Sequence, residues 1–325
     1  MIKAVIIGFS HMHVNEVALY IKEQEDFELC AAADAPSWLD EIPPLRYTPK
    51  WNMQNVKENY CSDIYDDYRQ MLEEVKPDIE RASTHDGYGT RTIVFFKGCP
   101  LSCRWCHNPE CISPKPQMLF YPEKCIGCGQ CDKGCFSGAK VICGKEMTPE
   151  ELLAEIVQDK PYYGRDGGVT FSGGEPLYQK DFLRETMELC RKNEIGCAIE
   201  TSLVYFYEEI FKKSDFVMAD FKIWDNDIHK QYTGQGNGVI KENFGKLNSL
   251  GIPIIARTPV IPEIRQDISE ISKFLKSLDN VVQYELLPYH CLGNEKRRAL
   301  GEKPDGFSIP GKAYMNELEK YAYIR

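Results

Sequence analysis

The chain has 325 residues, of which 43% are hydrophobic and 27% are charged. These values are ordinary for a soluble globular protein of one large or two smaller domains. A formal net charge of -10 argues against a nucleic-acid-binding surface, which is normally basic. No segment approaches the roughly 18 apolar residues of a membrane helix, and the N-terminal apolar run is too short for the core of a signal peptide. We therefore expect a cytoplasmic protein with protein or small-molecule partners.

The first 78 residues carry the pattern of an incomplete α/β unit. The runs AVIIG and FELCAAAD predict strands, and helices are expected over about residues 14–25 and in YDDYRQMLEEVKPD. This segment resembles the first part of the Rossmann domain of the Gfo/Idh/MocA oxidoreductases, including Asp34 at the end of the second strand. The turn at residues 8–13 lacks the second and third glycines that let a backbone approach a pyrophosphate. A truncated unit without a cofactor is therefore favoured over dinucleotide binding.

From Ile79 onward, strand-like runs alternate with helical stretches, which is typical of a parallel α/β architecture. Thr148, Pro149 and Glu151 predict a capped helix over residues 149–158. Conspicuous polar and cysteine motifs follow the strands directly, and in parallel barrels the active site lies at that end. We expect a partial (βα)6 barrel whose motifs converge on one mouth. Its six strands are predicted at residues 92–96, 168–171, 197–200, 216–221, 252–260 and 282–288.

The strongest motif is C-x3-C-x2-C, directly after the first of these strands: Cys99, Cys103 and Cys106. In a reducing compartment, clustered cysteines more often bind metal than form disulfides. Three thiolates can hold three irons of a 4Fe-4S cubane and leave the fourth iron open. S-adenosylmethionine can chelate that open iron, and one electron from the cluster can then cleave its carbon-sulfur bond. Zinc is the alternative, although zinc sites prefer paired C-x2-C ligands, four in all.

A second run has the spacing of bacterial ferredoxins: Cys125, Cys128, Cys131 and Cys135. Such a run normally gives its first three cysteines to one cluster and the fourth to another. Only one run is present, so Cys111 and Cys143 are candidates for a missing ligand. An auxiliary 4Fe-4S cluster is the favoured interpretation, with an unmetallated loop or a zinc site as alternatives. Its role would be electron relay or structural support.

The segment THDGYGTRTIVFFKGCPLSCRWCHNPE, together with these motifs, resembles the glycyl radical enzyme activating enzymes of the radical S-adenosylmethionine (SAM) superfamily, relatives of pyruvate formate-lyase activase. The resemblance covers about residues 79–325. It implies that Trp105 packs near the adenine of the cofactor. It also implies that a DGxGxR loop helps to receive the glycyl loop of a partner enzyme, through Asp86, Gly87, Gly89 and Arg91. Tyr88 replaces the proline that is usual in this loop.

The resemblance assigns further residues to the cofactor. A GGEP motif after a strand resembles the family segment that holds the methionine amino group: Ser172, Gly173, Gly174 and Glu175. Lys222 and His290 resemble residues that contact the methionine carboxylate, and Arg257 lies on a strand that ends beside it. Glu200, Thr201 and Asp220 match positions that hold a monovalent cation, with oxygen ligands suited to a hard ion.

These inferences divide the chain into a truncated Rossmann-like fragment, residues 1–78, and a radical SAM activase domain, residues 79–325, with a ferredoxin-like insert at residues 111–146. The resemblance implies that the chain installs a glycyl radical on a partner enzyme, with flavodoxin or ferredoxin as reductant. One alternative is a radical SAM enzyme that acts on another substrate. Another is a non-catalytic electron-transfer or interaction protein, in which the N-terminal fragment obstructs the mouth. A third alternative, a nicotinamide-dependent oxidoreductase, is supported only by the N-terminal fragment.

Overall fold

The computed structural model describes residues 2–7, 27–33, 63–65, 79–83, 86–131, 134–135 and 137–325. They belong to two compact units, Met1–Pro77 and Asp78–Arg325.

The described residues of the first unit form three parallel strands, paired in the order β1-β2-β3: β1 (Ile2–Ile7), β2 (Phe27–Ala33) and β3 (Asp63–Tyr65). The first two are the strands that the apolar runs predict. The predicted helices, the turn at residues 8–13 and Asp34 lie outside the described residues.

The part of the second unit that the structure describes has ten strands: β4 (Ile79–Ser83), β5 (Arg91–Phe96), β6 (Gln117–Phe120), β7 (Lys140–Cys143), β8 (Gly168–Gly173), β9 (Gly196–Thr201), β10 (Phe216–Asp220), β11 (Ile254–Val260), β12 (Val281–Pro288) and β13 (Tyr323–Ile324). Eight of them form one sheet, in the order β13-β12-β11-β10-β9-β8-β5-β4. Six strands of this sheet run parallel: β5, β8, β9, β10, β11 and β12. They confirm the six predicted strands of the partial barrel. The sheet ends in antiparallel strands on both sides, β4 and β13, which the sequence pattern did not predict.

The helices of this unit are α1 (Pro149–Val157), α2 (Lys180–Lys192), α3 (Glu208–Phe211), α4 (Asn226–Thr233), α5 (Gly238–Leu250), α6 (Ile268–Lys276), α7 (Gly293–Ala299) and α8 (Lys312–Leu318). Helix α1 begins with the predicted capping box, because Thr148 accepts from the Glu151 N–H and the Glu151 carboxylate accepts from the Thr148 N–H. None of the helices in the described residues is long and apolar enough to cross a membrane.

The two faces of the large sheet have different chemistry, because successive side chains of a strand point to opposite faces. One face carries fully buried apolar residues that pack with the helices, such as Phe171, Ile199 and Val217. The opposite face, which we call the inner face, has an apolar floor: Ala198, Phe216, Met218 and Ile255. Towards the C-terminal strand ends this face becomes polar. The fold therefore places ionisable side chains beside the loop that follows β5.

Candidate active site

The three cysteines of the first motif lie in one loop after β5, residues 97–108, which we call the cysteine loop: Cys99, Cys103 and Cys106. Neighbouring loops hold its backbone in place. The Cys99 N–H donates to the Ile112 carbonyl at 3.0 Å, and the Ser102 N–H donates to the Thr233 carbonyl at 2.8 Å. These bonds come from both sides of the loop, so its shape is fixed by the protein before any ligand binds.

Helix α7 clamps the same loop. The Arg297 Nη2 donates to the carbonyls of Cys103 and Arg104, both at 3.0 Å. Lys296, which precedes Arg297 on this helix, forms a buried ion pair with Glu110 at 2.9 Å. Glu110 lies two residues after the end of the cysteine loop. A helix late in the sequence therefore fixes the carbonyls around the second cysteine.

The cysteine side chains are shielded from water. Cys103 is 9% exposed, and Cys99 and Cys106 are half-buried. Burial raises the pKa of the Cys99 and Cys106 thiols to about 12, and it also raises the pKa of Cys103, against the opposing effect of Lys222. A bound metal deprotonates a coordinating thiol outright. The three shielded thiols therefore fit a group that brings positive charge, as an iron-sulfur cluster does.

A cluster spreads its protein ligands over several irons, so their sulfurs stand further apart than the ligands of one ion. Among the described residues, no three His, Cys, Asp or Glu side chains meet closely enough to hold a single metal ion.

Charged and polar side chains form a connected row on the inner face, at the C-terminal ends of β8 to β11: Ser172, Glu200, Arg257, Asp220 and Lys222. The Ser172 hydroxyl donates to one Glu200 oxygen at 2.5 Å, and the Arg257 guanidinium pairs with the other. The Arg257 Nε lies 3.8 Å from Asp220, and Lys222 donates to Asp220 at 2.6 Å. Burial disfavours the charge of Lys222, but Asp220 and Cys103 outweigh it and raise the pKa. Two cations and two carboxylates therefore stand beside the cysteine loop.

Glu175 makes a dense set of hydrogen bonds within the chain, and its predicted contact with the methionine amino group stays a prediction. Its carboxylate is completely buried and accepts hydrogen bonds from Thr201 Oγ1 at 2.8 and 2.9 Å, and from the N–H and hydroxyl of Ser202 at 2.9 and 2.6 Å. The Leu177 N–H adds a fifth bond at 3.3 Å. These donors occupy the carboxylate, so Glu175 joins the ends of β8 and β9. A direct bond from Glu175 to a methionine ammonium would require one of these donors to leave.

The family can be read from comparison with known proteins. The model of the radical SAM superfamily matches residues 93–275, a span that begins in β5 and includes the cysteine loop and the charged row. The chain belongs to the radical SAM superfamily. Membership implies a 4Fe-4S cluster and S-adenosylmethionine.

Curated relatives specify the kind of radical SAM enzyme. The 4-hydroxyphenylacetate decarboxylase activating enzyme of Clostridioides difficile is 35% identical over 295 residues, covering 78% of this chain and 93% of that protein. The (2S)-3-sulfopropanediol dehydratase activating enzyme of Klebsiella oxytoca is 36% identical over 266 residues, covering 69% and 84%. The pyruvate formate-lyase-activating enzyme of Clostridium pasteurianum is 36% identical over 251 residues, covering 75% and 94%. This chain is a radical SAM activating enzyme, which confirms the function predicted from the sequence.

A solved domain of a pyruvate-formate lyase-activating enzyme from Bacteroides vulgatus is 26% identical, with a TM-score of 0.41, and covers 48% of this chain and 92% of that one.

The predicted adenine and carboxylate contacts lie beside the cysteine loop. Trp105 is 7% exposed, and its ring lies 6.4 Å from the rings of both Tyr232 and Phe307. His290 follows β12, with its ring 4.5 Å from that of His107. The chain's own aromatic side chains thus already surround Trp105, and its contact with adenine stays a prediction.

The DGxGxR loop lies at the other end of the strands, where β5 and β8 begin. Arg91 is 1% exposed and donates to the Thr170 hydroxyl at 2.7 Å and to the Val169 carbonyl at 2.7 Å. Further donors reach the carbonyls of Tyr88 and Asp166. The Arg91 side chain is enclosed and holds the loop in place, and the role of this loop in receiving a partner protein stays a prediction.

The glycines of this loop are required by its backbone. Gly87 and Gly89 have φ of +116° and +70°, values that side chains rarely adopt. A Cβ at Gly87 would collide with the ring of Phe216 on the floor of the inner face. Asp86 is half-buried and accepts a hydrogen bond from the Ser83 hydroxyl at 2.6 Å. Its negative charge favours the charged form of Arg257.

The second cysteine run lies in the loop between β6 and β7, which pair antiparallel. Cys125, Cys128 and Cys131 are exposed and Cys135 is half-buried. Hydrogen bonding to Ser137 lowers the pKa of Cys135. The loop differs from the cysteine loop in that its thiols face solvent.

The two spare cysteines lie near the base of this insert. Cys111 is buried and Cys143 is half-buried at the end of β7. The pKa of Cys111 is raised by burial, with contributions from Glu110 and Cys143. Cys111 is therefore near Cys143 and beside the cysteine loop.

Several site residues escaped sequence reasoning. Ser202 could have been found, since it follows Thr201 directly at a strand end. Arg297 and Lys296 carry no motif, and their contacts with the cysteine loop span nearly 200 residues. A pocket of about 440 Å³ beside this loop was also missed; three of its seven lining residues are tyrosines, Tyr178, Tyr205 and Tyr207.

Proposed function

We propose that this chain installs a glycyl radical on a partner enzyme and that Cys99, Cys103 and Cys106 hold the cluster responsible. The observation that carries the proposal is the single shielded, clamped loop that presents all three thiols at the C-terminal strand ends. The cluster, when bound, supplies the electron that cleaves S-adenosylmethionine to methionine and a 5'-deoxyadenosyl radical, which takes the glycine hydrogen.

The chain's own residues bind and orient S-adenosylmethionine. Arg257 and Lys222 offset the negative charge of thiolates and of the methionine carboxylate, and His290 lies on the same side as the cysteine loop. Gly173 and Gly174 allow close backbone packing, because a Cβ on Gly174 would meet the carbonyls of Gly98 and Cys111. Ser172 and the backbone of this segment would then hold the methionine ammonium. Glu175 would fix the conformation of the segment.

The monovalent cation stays a prediction. Arg257 already pairs with Glu200 and lies near Asp220, while the Thr201 hydroxyl donates to Glu175. A cation at this position would have to compete with the guanidinium.

The organisation of the chain supports further proposals. We assign residues 79–325 to the activase domain and residues 111–146 to an insert that holds an auxiliary 4Fe-4S cluster on Cys125, Cys128 and Cys131, with Cys135 or Cys143 as the fourth ligand. Residues 1–78 form a separate Rossmann-like fragment without a nucleotide. The reductant is flavodoxin or ferredoxin, and the setting is an anaerobic cytoplasm, since oxygen destroys such clusters.

The test is anaerobic reconstitution with iron and sulfide, reduction with dithionite, and chromatography for 5'-deoxyadenosine. We expect product from the wild-type chain and from Cys190→Ala, a matched control on the helix side of the sheet, but none from Cys103→Ala. Candidate glycyl radical partners are then examined by electron paramagnetic resonance. Formation of 5'-deoxyadenosine by the Cys103→Ala variant would show that Cys103 is not a required ligand of the cluster. Formation of 5'-deoxyadenosine by the wild-type chain without a glycyl radical signal would favour another substrate.

A further inference from the structure

The insert has one buried and one exposed face. Leu119 on β6 is 2% exposed and packs with Ala299 at the end of α7. The neighbouring residue Met118 points the other way and is 51% exposed, and its cross-strand partner Ile142 is 66% exposed. Directly paired residues share a face, so these two side chains lie side by side in solvent.

Two further apolar side chains extend this surface. Phe120, two residues after Met118 on the same face of β6, is 38% exposed, and Ile126 in the second cysteine run is 71% exposed. We call the face that carries Met118, Phe120 and Ile142, together with the adjoining cysteine run, the outer surface of the insert. Contiguous exposed apolar side chains in a soluble protein mark an interaction site.

The charge of the insert is opposite to that of the chain. Residues 111–146 contain five lysines and three acidic residues, while the whole chain has 39 basic and 49 acidic residues. Lys140 lies on the outer surface, opposite Phe120. In the described part of the chain no carboxylate pairs with the lysines of the insert that the structure places: Lys115, Lys124, Lys140 and Lys145. The insert thus has two more lysines than acidic residues, and this net positive charge is of the sign that attracts an acidic partner.

The third property of this surface is chemical. Cys125, Cys128 and Cys131 are exposed in the loop that joins β6 to β7. This loop begins where β6 ends, directly after Phe120. Exposed apolar side chains, a net positive charge and exposed cysteines of ferredoxin spacing thus all belong to this one insert.

We propose that the outer surface of the insert docks a small acidic one-electron carrier protein. Positive charge on the chain steers an acidic carrier, and complexes between redox proteins are typically small, less than about 1,200 Å², which suits a two-stranded sheet. In the docked complex the carrier is oxidised by one electron and the iron of this chain is reduced by one, with no bond made or broken. The proposal rests on the proposed function, since it supplies the electron that function consumes.

The experiment compares reconstituted wild-type chain with the double variant Met118→Glu, Ile142→Glu. Flavodoxin is the probe, and its Kd is measured by biolayer interferometry. We expect the double variant to bind about tenfold more weakly, since two apolar contacts are replaced by charges that repel an acidic carrier. Wild-type binding should also weaken as salt rises. Ile309→Glu, another exposed apolar residue at 61%, is the matched control and should bind normally.

Turnover separates this proposal from the proposed function. Dithionite needs no docking, so the double variant should form 5'-deoxyadenosine at the wild-type rate with dithionite and about tenfold more slowly with photoreduced flavodoxin at low concentration. A lack of product from wild-type chain with dithionite would instead count against the proposed function.

Three results would overturn the docking proposal. The first is an unchanged Kd in the double variant. The second is a loss of flavodoxin binding in Tyr178→Ala, which would move the docking site to the tyrosine-lined pocket beside the cysteine loop. The third is a chain dimer that the double variant dissociates while flavodoxin binding persists, which would make a second copy of the chain the occupant.

Discussion

The two cysteine-rich segments of this chain use the same residue type in opposite surroundings. The cysteine loop is shielded, hydrogen-bonded on both sides and clamped by Arg297. The second run, between β6 and β7, faces solvent. The comparison teaches that spacing alone identifies candidate metal ligands, while burial decides what those ligands require. Burial raises the pKa of the shielded Cys99 and Cys106 thiols, so these thiols need a cation to ionise near neutral pH.

The largest expected difference between the two segments is in thiol reactivity without metal. Only the thiolate reacts with iodoacetamide, and a thiol with a pKa of about 12 is ionised to roughly one part in 10⁴ at pH 8. Cys99 and Cys106 have that pKa, whereas hydrogen bonding lowers the pKa of Cys135. We expect Cys135 to be alkylated about 10³ times faster at pH 8, as measured by mass spectrometry of the apo chain.

The pH dependence gives this prediction a second readout. Alkylation of Cys99 and Cys106 should rise about tenfold per pH unit up to pH 11, because their thiolate fraction is still small there. Alkylation of Cys135 should level off at a lower pH than alkylation of Cys99 and Cys106, because hydrogen bonding to Ser137 lowers the pKa of Cys135. Equal rates at the two segments would show that the cysteine loop opens in the apo chain.

A second test measures how much the shielded region depends on one carboxylate. Glu175→Ala removes the acceptor for Thr201, Ser202 and Leu177 and leaves buried donors without partners. We expect the free energy of unfolding to fall by about 3 kcal/mol, from the usual cost of such groups. Urea denaturation checks this value. Glu185→Ala, on a side chain that is 55% exposed, should change it by less than about 0.5 kcal/mol.

The smallest expected effect comes from the clamp. Arg297→Ala frees the carbonyls of Cys103 and Arg104 and should cost about 2 kcal/mol. It should also lower the iron bound per chain after reconstitution, because a looser loop presents its thiols less well. Arg298→Ala, an exposed neighbour on the same helix, is the control. If both variants bind iron alike, the clamp stabilises the fold without organising the site.

Sequence reasoning succeeded where the information was local. The six parallel strands follow from short apolar runs, and the start of α1 follows from three adjacent residues. The cysteine spacing and the polar strand ends were also visible, and the strands do bring Ser172, Glu200 and Asp220 together.

What remained hidden depends on contacts between distant segments. The sequence did not show that Arg91 donates to Thr170 and Val169, almost 80 residues away. It also did not show that Ser202, just after the next strand, donates to Glu175. The edge strands β4 and β13 are short and lack an apolar run, so only pairing with the completed sheet defines them.

The clamp on the cysteine loop also sets an order of events during synthesis. Arg297 lies 194 residues after Cys103, and translation proceeds at about 5–20 residues per second. Cys103 is therefore synthesised roughly 10 to 40 seconds before the side chain that binds its carbonyl exists. Iron that reaches the nascent chain finds a cysteine loop that lacks the Arg297 hydrogen bonds. Iron that is inserted after release from the ribosome finds the loop already held by them.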